Sequence, residues 1–420
     1  MNLKSPSAIF SLILLLSGCN SSGDSESLAT AITIESQTAQ GTLLKDIAIT
    51  GGNIRIKAGD VHQLKATGTD ENNDIRDISN ELIWSSSNVN VATVNNQGLV
   101  TAVANSTDNQ GIVIIRATSI NQLYTETEVS INDTPVSGIS LKQSLPVTGS
   151  INTCIDATIS ADILYEDGYQ ASNSIQELSF SLNENSNASI SSSGILFTYG
   201  DIVEDITITA NIGDLSDSLI VTSDPSNLRL IDIFIDNEST SIISMNVGDR
   251  LLVNAKAQLF STPDDFHDIK GSVKWQQEHH EFSGLTTTGE NKGSILALKP
   301  GFTQLDAICG AKKDVALLKV AGTAELEKIQ INDGLDIISL KVGQSTSLTL
   351  SAMFSGTSNL NVSEFAQWSI NASPLLKTEL KAHGTEEAYL ELTSVSNTTG
   401  VATISAAYDN NIVFLTVNIE

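Results

Sequence analysis

The chain has 420 residues and a formal net charge of −27, with 49 Asp and Glu against 22 Lys and Arg. A surface this acidic repels nucleic acid and anionic lipid headgroups, which leaves basic, neutral or cation-bridged partners. The length predicts two to four domains rather than one.

In chain order, the first element reads as an export signal. Lys4 supplies a positive start, and residues 9–16 form an apolar run broken only by Ser11. Such a run is too short to cross a bilayer as a mature helix, so residues 1–18 are expected to be removed. The run closes on Leu16-Ser17-Gly18-Cys19, a lipobox, which makes Cys19 the expected site of lipid attachment. Two or three acyl chains anchor stably where one is marginal. Asn20 follows the cysteine where an inner-membrane lipoprotein carries Asp. The expected location is therefore the outer membrane, surface-exposed, with a periplasm-facing arrangement left open. Residues 19–42, rich in Ser, Thr, Gly and Ala, read as a tether with roughly 25–30 Å of r.m.s. reach.

The rest of the chain repeats. Trp84, Phe180, Trp275 and Trp368 stand 96, 95 and 93 residues apart, each two positions after an apolar or small residue. That alternation puts each aromatic on the inward face of a strand and marks it as a core residue. Three further series keep a similar period: Ala66, Ala157, Ala255 and Ala352; Ala117, Ala210, Ala307 and Ala406; and Gly59, Gly149, Gly248 and Gly343. Short alternating segments such as 206–210 and 413–419 are separated by Gly, Asn, Asp and Ser clusters, and helical periodicity is absent beyond the signal. The expected fold is all-β: four tandem immunoglobulin-like β-sandwiches in an elongated array, over residues 43–133, 134–224, 225–322 and 323–420. Proline at Asp133-Thr134-Pro135 and Asp224-Pro225-Ser226 marks two of the boundaries.

Little catalytic chemistry is legible. No Gly-x-Ser-x-Gly elbow, His-Glu-x-x-His, phosphate-cradling glycine loop or Cys-x-x-Cys occurs, so no enzyme is expected. His279 and His280 are adjacent, and strand neighbours point to opposite faces, so Glu278-His279-His280-Glu281 reads as a solvated loop. Asp70, Asn72 and Asp74 have the oxygen spacing of the first three ligands of a calcium loop. Ile75, however, stands where a helix-loop-helix site needs Gly. Ca²⁺ is thus the single cofactor candidate, against a plain polar loop. Once Cys19 is lipidated, Cys154 and Cys309 remain, and an oxidising compartment favours pairing. Strand order brings both toward the junction of the second and third sandwiches; a disulfide and two separate thiols both stay open.

Gly59-Asp60, Gln63-Leu64-Lys65-Ala66-Thr67, Ile83-Trp84-Ser85-Ser86-Ser87-Asn88, Val91-Ala92-Thr93-Val94 and Gly98-Leu99-Val100-Thr101-Ala102 resemble the bacterial immunoglobulin-like domain, group 2, family. That family also occurs in invasin- and intimin-type surface proteins. The resemblance is specific over about residues 43–132. It weakens C-terminally: Phe180 replaces the tryptophan in the second unit, and the fourth lacks the Gly-Leu-Val-Thr segment. It implies the fold and, more loosely, adhesion. The expectation is a lipid-anchored surface protein that binds a protein or glycan ligand, its sandwiches extending roughly 120–160 Å. Residues 359–364 and 381–387 of the fourth sandwich would form the binding tip. The alternative is a periplasmic scaffold lipoprotein.

Overall fold

The structure, a computed structural model, describes residues 43–174, 178–323, 325–355, 359–371, 375–395 and 399–420. By packing, these fall into two compact units: residues 43–138 together with 162–174, and 139–161 together with the described residues from 178 to 420.

The first unit holds one sandwich. Leu44–Thr50, Lys65–Asp70 and Ile75–Asp77 form one sheet in that order, and Ile54–Ile56, Tyr124–Ile131, Ile112–Thr118 and Ile83–Ser86 form the opposite one. A small ladder of Val61–Gln63, Leu99–Ala102 and Ala92–Val94 closes the side. Ile54–Ile56 runs parallel to Tyr124–Ile131 in an otherwise antiparallel framework. The core between the sheets is aliphatic, with Leu64, Ala66, Ile115, Ala117, Val129 and Ile131 fully buried.

The second unit repeats this plan. In the third sandwich Ile242–Asn246, Lys312–Ala321, Gly301–Cys309 and Lys274–Gln277 form the corresponding four-stranded sheet. In the fourth it is Ile337–Leu340, Asn411–Ile419, Gly400–Tyr408 and Gln367–Ile370. The second sandwich contributes Ile151–Asn152, Leu215–Asp224, Glu204–Ile212 and Ser179–Leu182 in the same order. Glu204–Ile212 shows the sequence logic: Ile206, Ile208, Ala210 and Ile212 are buried while the residues between them are not. Two hairpins turn on Asp236-Asn237 and Asp409-Asn410, where both residues have positive φ. Asp and Asn tolerate that left-handed region, and the resulting turn matches the right-handed strand twist.

One pairing recurs in every sandwich. Trp84 lies opposite Ala117, Phe180 opposite Ala210, Trp275 opposite Ala307 and Trp368 opposite Ala406. The four alanines have no exposed surface. A methyl opposite each ring leaves space for it over the inner face of the sheet. The earlier alanine series needs correction. The N–H groups of Leu64, Ile159 and Val253 donate to the carbonyls of Gly98, Gly194 and Gly293, which places Ala66, Ala161 and Ala255 in equivalent positions. In the fourth sandwich Leu350 occupies the place, since its carbonyl accepts from Val362 as Ala66's does from Ile78. Ala157 and Ala352 share the inward face but stand four and two residues out of register; strand alternation hides an even shift.

A device near the tryptophans was not read from the sequence. The Trp84 indole donates to the Ser79 carbonyl (2.8 Å), while the Ser79 hydroxyl accepts from the Ala66 N–H (2.9 Å). Trp368 and Ser363 repeat this, with 2.9 Å to the carbonyl and 2.8 Å from the Leu350 N–H. An Asx side chain two residues earlier, Asp77 or Asn361, accepts the serine N–H. In the third sandwich Asp268 still accepts from the residue two on, but that residue is Lys270. The buried Trp275 indole N–H has no partner among the described residues. Trp84→Phe therefore strands a carbonyl and is expected to cost about 1 kcal/mol more than Trp275→Phe, which removes an unpaired donor. Hydrogen exchange of the two sandwiches in denaturant would measure this, and equal losses would contradict it.

Candidate functional site

Leu16, Ser17, Gly18 and Cys19, with the rest of the tether, lie outside the described residues. Asp70 is buried, and its Oδ1 accepts from the N–H groups of Asn72 (2.8 Å) and Asp74 (3.0 Å). Asn73 has a positive φ, and the Lys45 ammonium bonds its side-chain oxygen. These contacts make Asp70, Asn72 and Asp74 a side-chain-capped turn. Among the described residues no three His, Cys, Asp or Glu side chains are grouped to hold a metal ion. His279 and His280 sit in a loop with different partners: His279 meets Glu281 at 3.6 Å and His280 meets Gln277 at 2.9 Å.

The first unit contains a cluster with no forewarning in the sequence. Arg55 lies on Ile54–Ile56 with its side chain almost fully buried. Its guanidinium makes a two-pronged contact to Asp167 at 2.8 and 2.9 Å, donates to Ser130 Oγ and the Gln110 carbonyl, and lies over the rings of Tyr165 and Tyr169. The Tyr169 hydroxyl donates to the Ile54 carbonyl at 3.0 Å. Every element of a buried cation is thus satisfied: a counter-ion, acceptors and aromatic faces. The cluster explains why residues 162–174 pack with the first sandwich. The bond from Arg55 holds the Asp167 carboxyl below the usual carboxylate range. A carboxyl with a lowered folded pKa stabilises fully above its unfolded value, and the contribution is lost as pH falls through the lowered one. Protection of 162–174 in hydrogen exchange should therefore persist from neutral pH to about 4 and fall below it. Arg55→Gln should abolish that protection at neutral pH, at a cost on the order of 3 kcal/mol; protection unchanged in the variant would refute the role.

In the second unit Cys154 and Cys309 are disulfide-bonded, with Cα atoms 6.0 Å apart across 155 residues of sequence. Both are fully buried within the third sandwich's core cluster, alongside Leu228, Ala307 and Ala316. Nearby, the Gly310 N–H donates to the Tyr199 carbonyl, and Phe197 covers Gly271 so closely that a Cβ there would meet the ring at 2.0 Å. Non-reducing peptide mapping of the purified chain should return Cys154 and Cys309 on one crosslinked peptide. By chain entropy alone a link over so long a loop is worth about 5 kcal/mol, so Cys154→Ser should lower the denaturation midpoint of the second unit. Two free thiols would contradict the assignment.

Parts of the two loops expected at the binding tip lie against the third sandwich. Asn291 Nδ2 donates to the His383 carbonyl (2.8 Å) and Ser294 Oγ to the Gly384 carbonyl (2.9 Å). Glu364 ties the two loops together by accepting the Gly384 N–H at 2.7 Å, and Asn361 donates to the carbonyls of Glu386 and Ala388. Phe365 lies over Gly284, where a Cβ would come within 2.4 Å of its ring. Leu296 and Leu298, from the third sandwich, are buried in the fourth sandwich's core cluster. Hydrogen bonds to His383 and Gly384, with Leu360 beside Gly248, thus set part of both loops against a neighbour in the same chain, while Asn359, Ala382, Glu386 and Glu387 stay exposed. The sequence carried a trace of this in Gly284 and Gly384, whose missing side chains permit the approach.

Residues 44–121 match the family described as bacterial Ig-like domain (group 2). Ice-binding protein 1 of Shewanella frigidimarina (strain NCIMB 400) is 35% identical over 158 residues, which is 38% of this chain and 16% of that protein. The chain therefore spans less than a fifth of that relative's length. Among solved structures, domains 4–9 of the surface layer protein SbsC align over 90% of this chain and 65% of theirs, at 14% identity and a TM-score of 0.29. The EC3-6 fragment of protocadherin gammaB7 aligns over 89% of this chain and 99% of its own, at 13% identity and a TM-score of 0.17. These two likenesses carry no functional argument.

Proposed function

We propose, from a chain whose residues 44–121 form a bacterial Ig-like domain of group 2, that this protein is a lipid-anchored cell-surface array of Ig-like sandwiches that acts by binding rather than by catalysis. The observation that carries this reading is the construction of the junctions in the second unit. A disulfide joins Cys154 of the second sandwich to Cys309 of the third, and Leu296 and Leu298 of the third sandwich complete the core of the fourth. Fixing sandwiches to one another costs conformational entropy, which is useful where a binding surface must be held at a set position. The lipobox at Leu16, Ser17, Gly18 and Cys19 supports a membrane anchor, and the acidic surface favours a neutral ligand such as a glycan or a basic protein face.

With His383, Gly384 and Leu360 set against the third sandwich, the part of 359–364 and 381–387 that remains for a ligand is the exposed Asn359, Ala382, Glu386 and Glu387. The 158-residue match to an ice-binding protein exceeds one repeat of about 95 residues; we read the shared part as sandwich framework. A periplasmic scaffold keeps the same anchor and junctions but needs no extracellular ligand. Protease treatment of intact cells, probed with an antibody to the fourth sandwich, separates the two. Digestion is expected on intact cells; protection until the cells are permeabilised would overturn the surface reading in favour of the scaffold.

A further inference from the structure

The four-stranded sheet of the fourth sandwich presents an outer face that differs in charge from its counterparts. In the first sandwich the equivalent face carries Arg116, Glu126 and Glu128, and in the second Asp205. In the third it carries Lys274, Lys313, Lys319 and Asp306. In the fourth, every outward position of Gly400–Tyr408 and Asn411–Ile419 is uncharged. So are Ile337 and Ser339 on one flanking strand and Gln367 and Ser369 on the other. Charge returns at the margins: Asp409 in the hairpin, Glu281, which shares a hollow with Gln367 and Ile412, and Glu420, whose carboxylate accepts from Ser339.

The same face exposes large apolar side chains. Ile337, Val401, Ile412 and Phe414 are 61, 64, 59 and 63% exposed. Strand register gives the face a relief. Phe414 and Ile412 follow one another along one strand, with Ser405 and Ala407 directly across from them on the next, and Ser369 beyond Ser405. Two bulky apolar residues thus form a ridge beside a shallow trough of small ones. An exposed apolar patch with a polar rim is the mark of an interaction surface.

We propose that this face is the contact of a homodimer, in which the ridge of Phe414 and Ile412 from each copy lies over the trough of Ser405, Ala407 and Ser369 of the other. Two features of the face select a second copy as its occupant. Each chain carries a net charge of −27, so two copies repel over most of their surface and meet with least repulsion where both are uncharged. A ridge beside a trough is also self-complementary. A twofold axis in the plane of contact, running between the two strands, sets each ridge over the other's trough, the isologous arrangement of symmetric dimers. Twisted sheets pack face to face in this way, about 30° from aligned. Four strands of this length give a face of about 19 by 25 Å, so two copies bury roughly 1,000 Å², the lower end for a specific interface. The dimer is therefore weak and concentration-dependent. It does not depend on which side of the membrane the chain occupies.

The test is sedimentation equilibrium of the purified full chain carrying Cys19→Ser, so that no acyl chain drives association, from about 1 μM to about 1 mM. A monomer–dimer equilibrium is expected. The dimer should strengthen as salt rises, because screening relieves the repulsion between two acidic chains. Phe414→Glu, at an outward position, should weaken dimerisation at least about tenfold, and Ala407→Arg, which fills the trough, by a similar factor. Phe302→Glu puts the same charge on an exposed aromatic of the third sandwich and should change dimerisation by less than about twofold. Unchanged hydrogen-exchange protection of the fourth sandwich would establish that the variants remain folded. A chain that stays monomeric throughout, a dimer that weakens with salt, or a dimer that responds equally to Phe414→Glu and Phe302→Glu would overturn the proposal.

Discussion

The packing of one large ring opposite one alanine sets the geometry of each sandwich. Trp84, Phe180, Trp275 and Trp368 each sit directly across a strand pair from Ala117, Ala210, Ala307 or Ala406. A one-residue slip would turn the ring to solvent and bring a polar neighbour inward, so the pair fixes register as well as filling volume. Around it the rest of the core is interchangeable aliphatic material. This fits the drift in sequence among the four sandwiches while the order of their four-stranded sheet stays the same.

The ends of the sandwiches are less uniform. Arg55 with Asp167 and two tyrosines, the Cys154–Cys309 disulfide, and the Phe365–Gly284 contact with Leu296 and Leu298 are three unrelated chemistries. The first responds to acid, the second to reductant, and the third chiefly to conditions that weaken hydrophobic burial. The strength of the protein is therefore distributed over different kinds of interaction, and a single change of environment loosens one place at a time.

The sandwich fold was legible because it is written in a local code: alternation along strands, turn residues between them, and an aromatic returning near every 95 residues. The paired alanines after Ala117 were legible for the same reason. The other alanine series was misaligned because an inward-facing small residue recurs every second position, so Ala157 and Ala352 satisfied the pattern as well as Ala161 and Leu350 did. The candidate sites fared differently. Asp70, Asn72 and Asp74 carry the spacing of ligands, and the sequence does not show that one Asp70 oxygen accepts the N–H groups of Asn72 and Asp74. Nothing near Arg55 announces that its counter-ion stands more than a hundred residues later, since long-range pairing leaves no local trace. The unpaired Trp275 indole was hidden for the same reason, although Lys270 in place of Ser79 and Ser363 is a difference that three aligned repeats would expose.

Leu296 and Leu298 have a consequence for how such a chain can be divided. They precede the boundary near Gly322 by more than twenty residues, yet they are buried with Leu348, Leu350 and Val417 of the fourth sandwich. Severing the chain between these sandwiches would leave two leucines bare on one piece and an unfilled hollow in the other. The repeat that is regular along the sequence is therefore not the unit that is closed in space. A fourth sandwich transplanted to a new neighbour would need that neighbour to supply the missing apolar surface, which constrains the order in which copies of this module can be strung together.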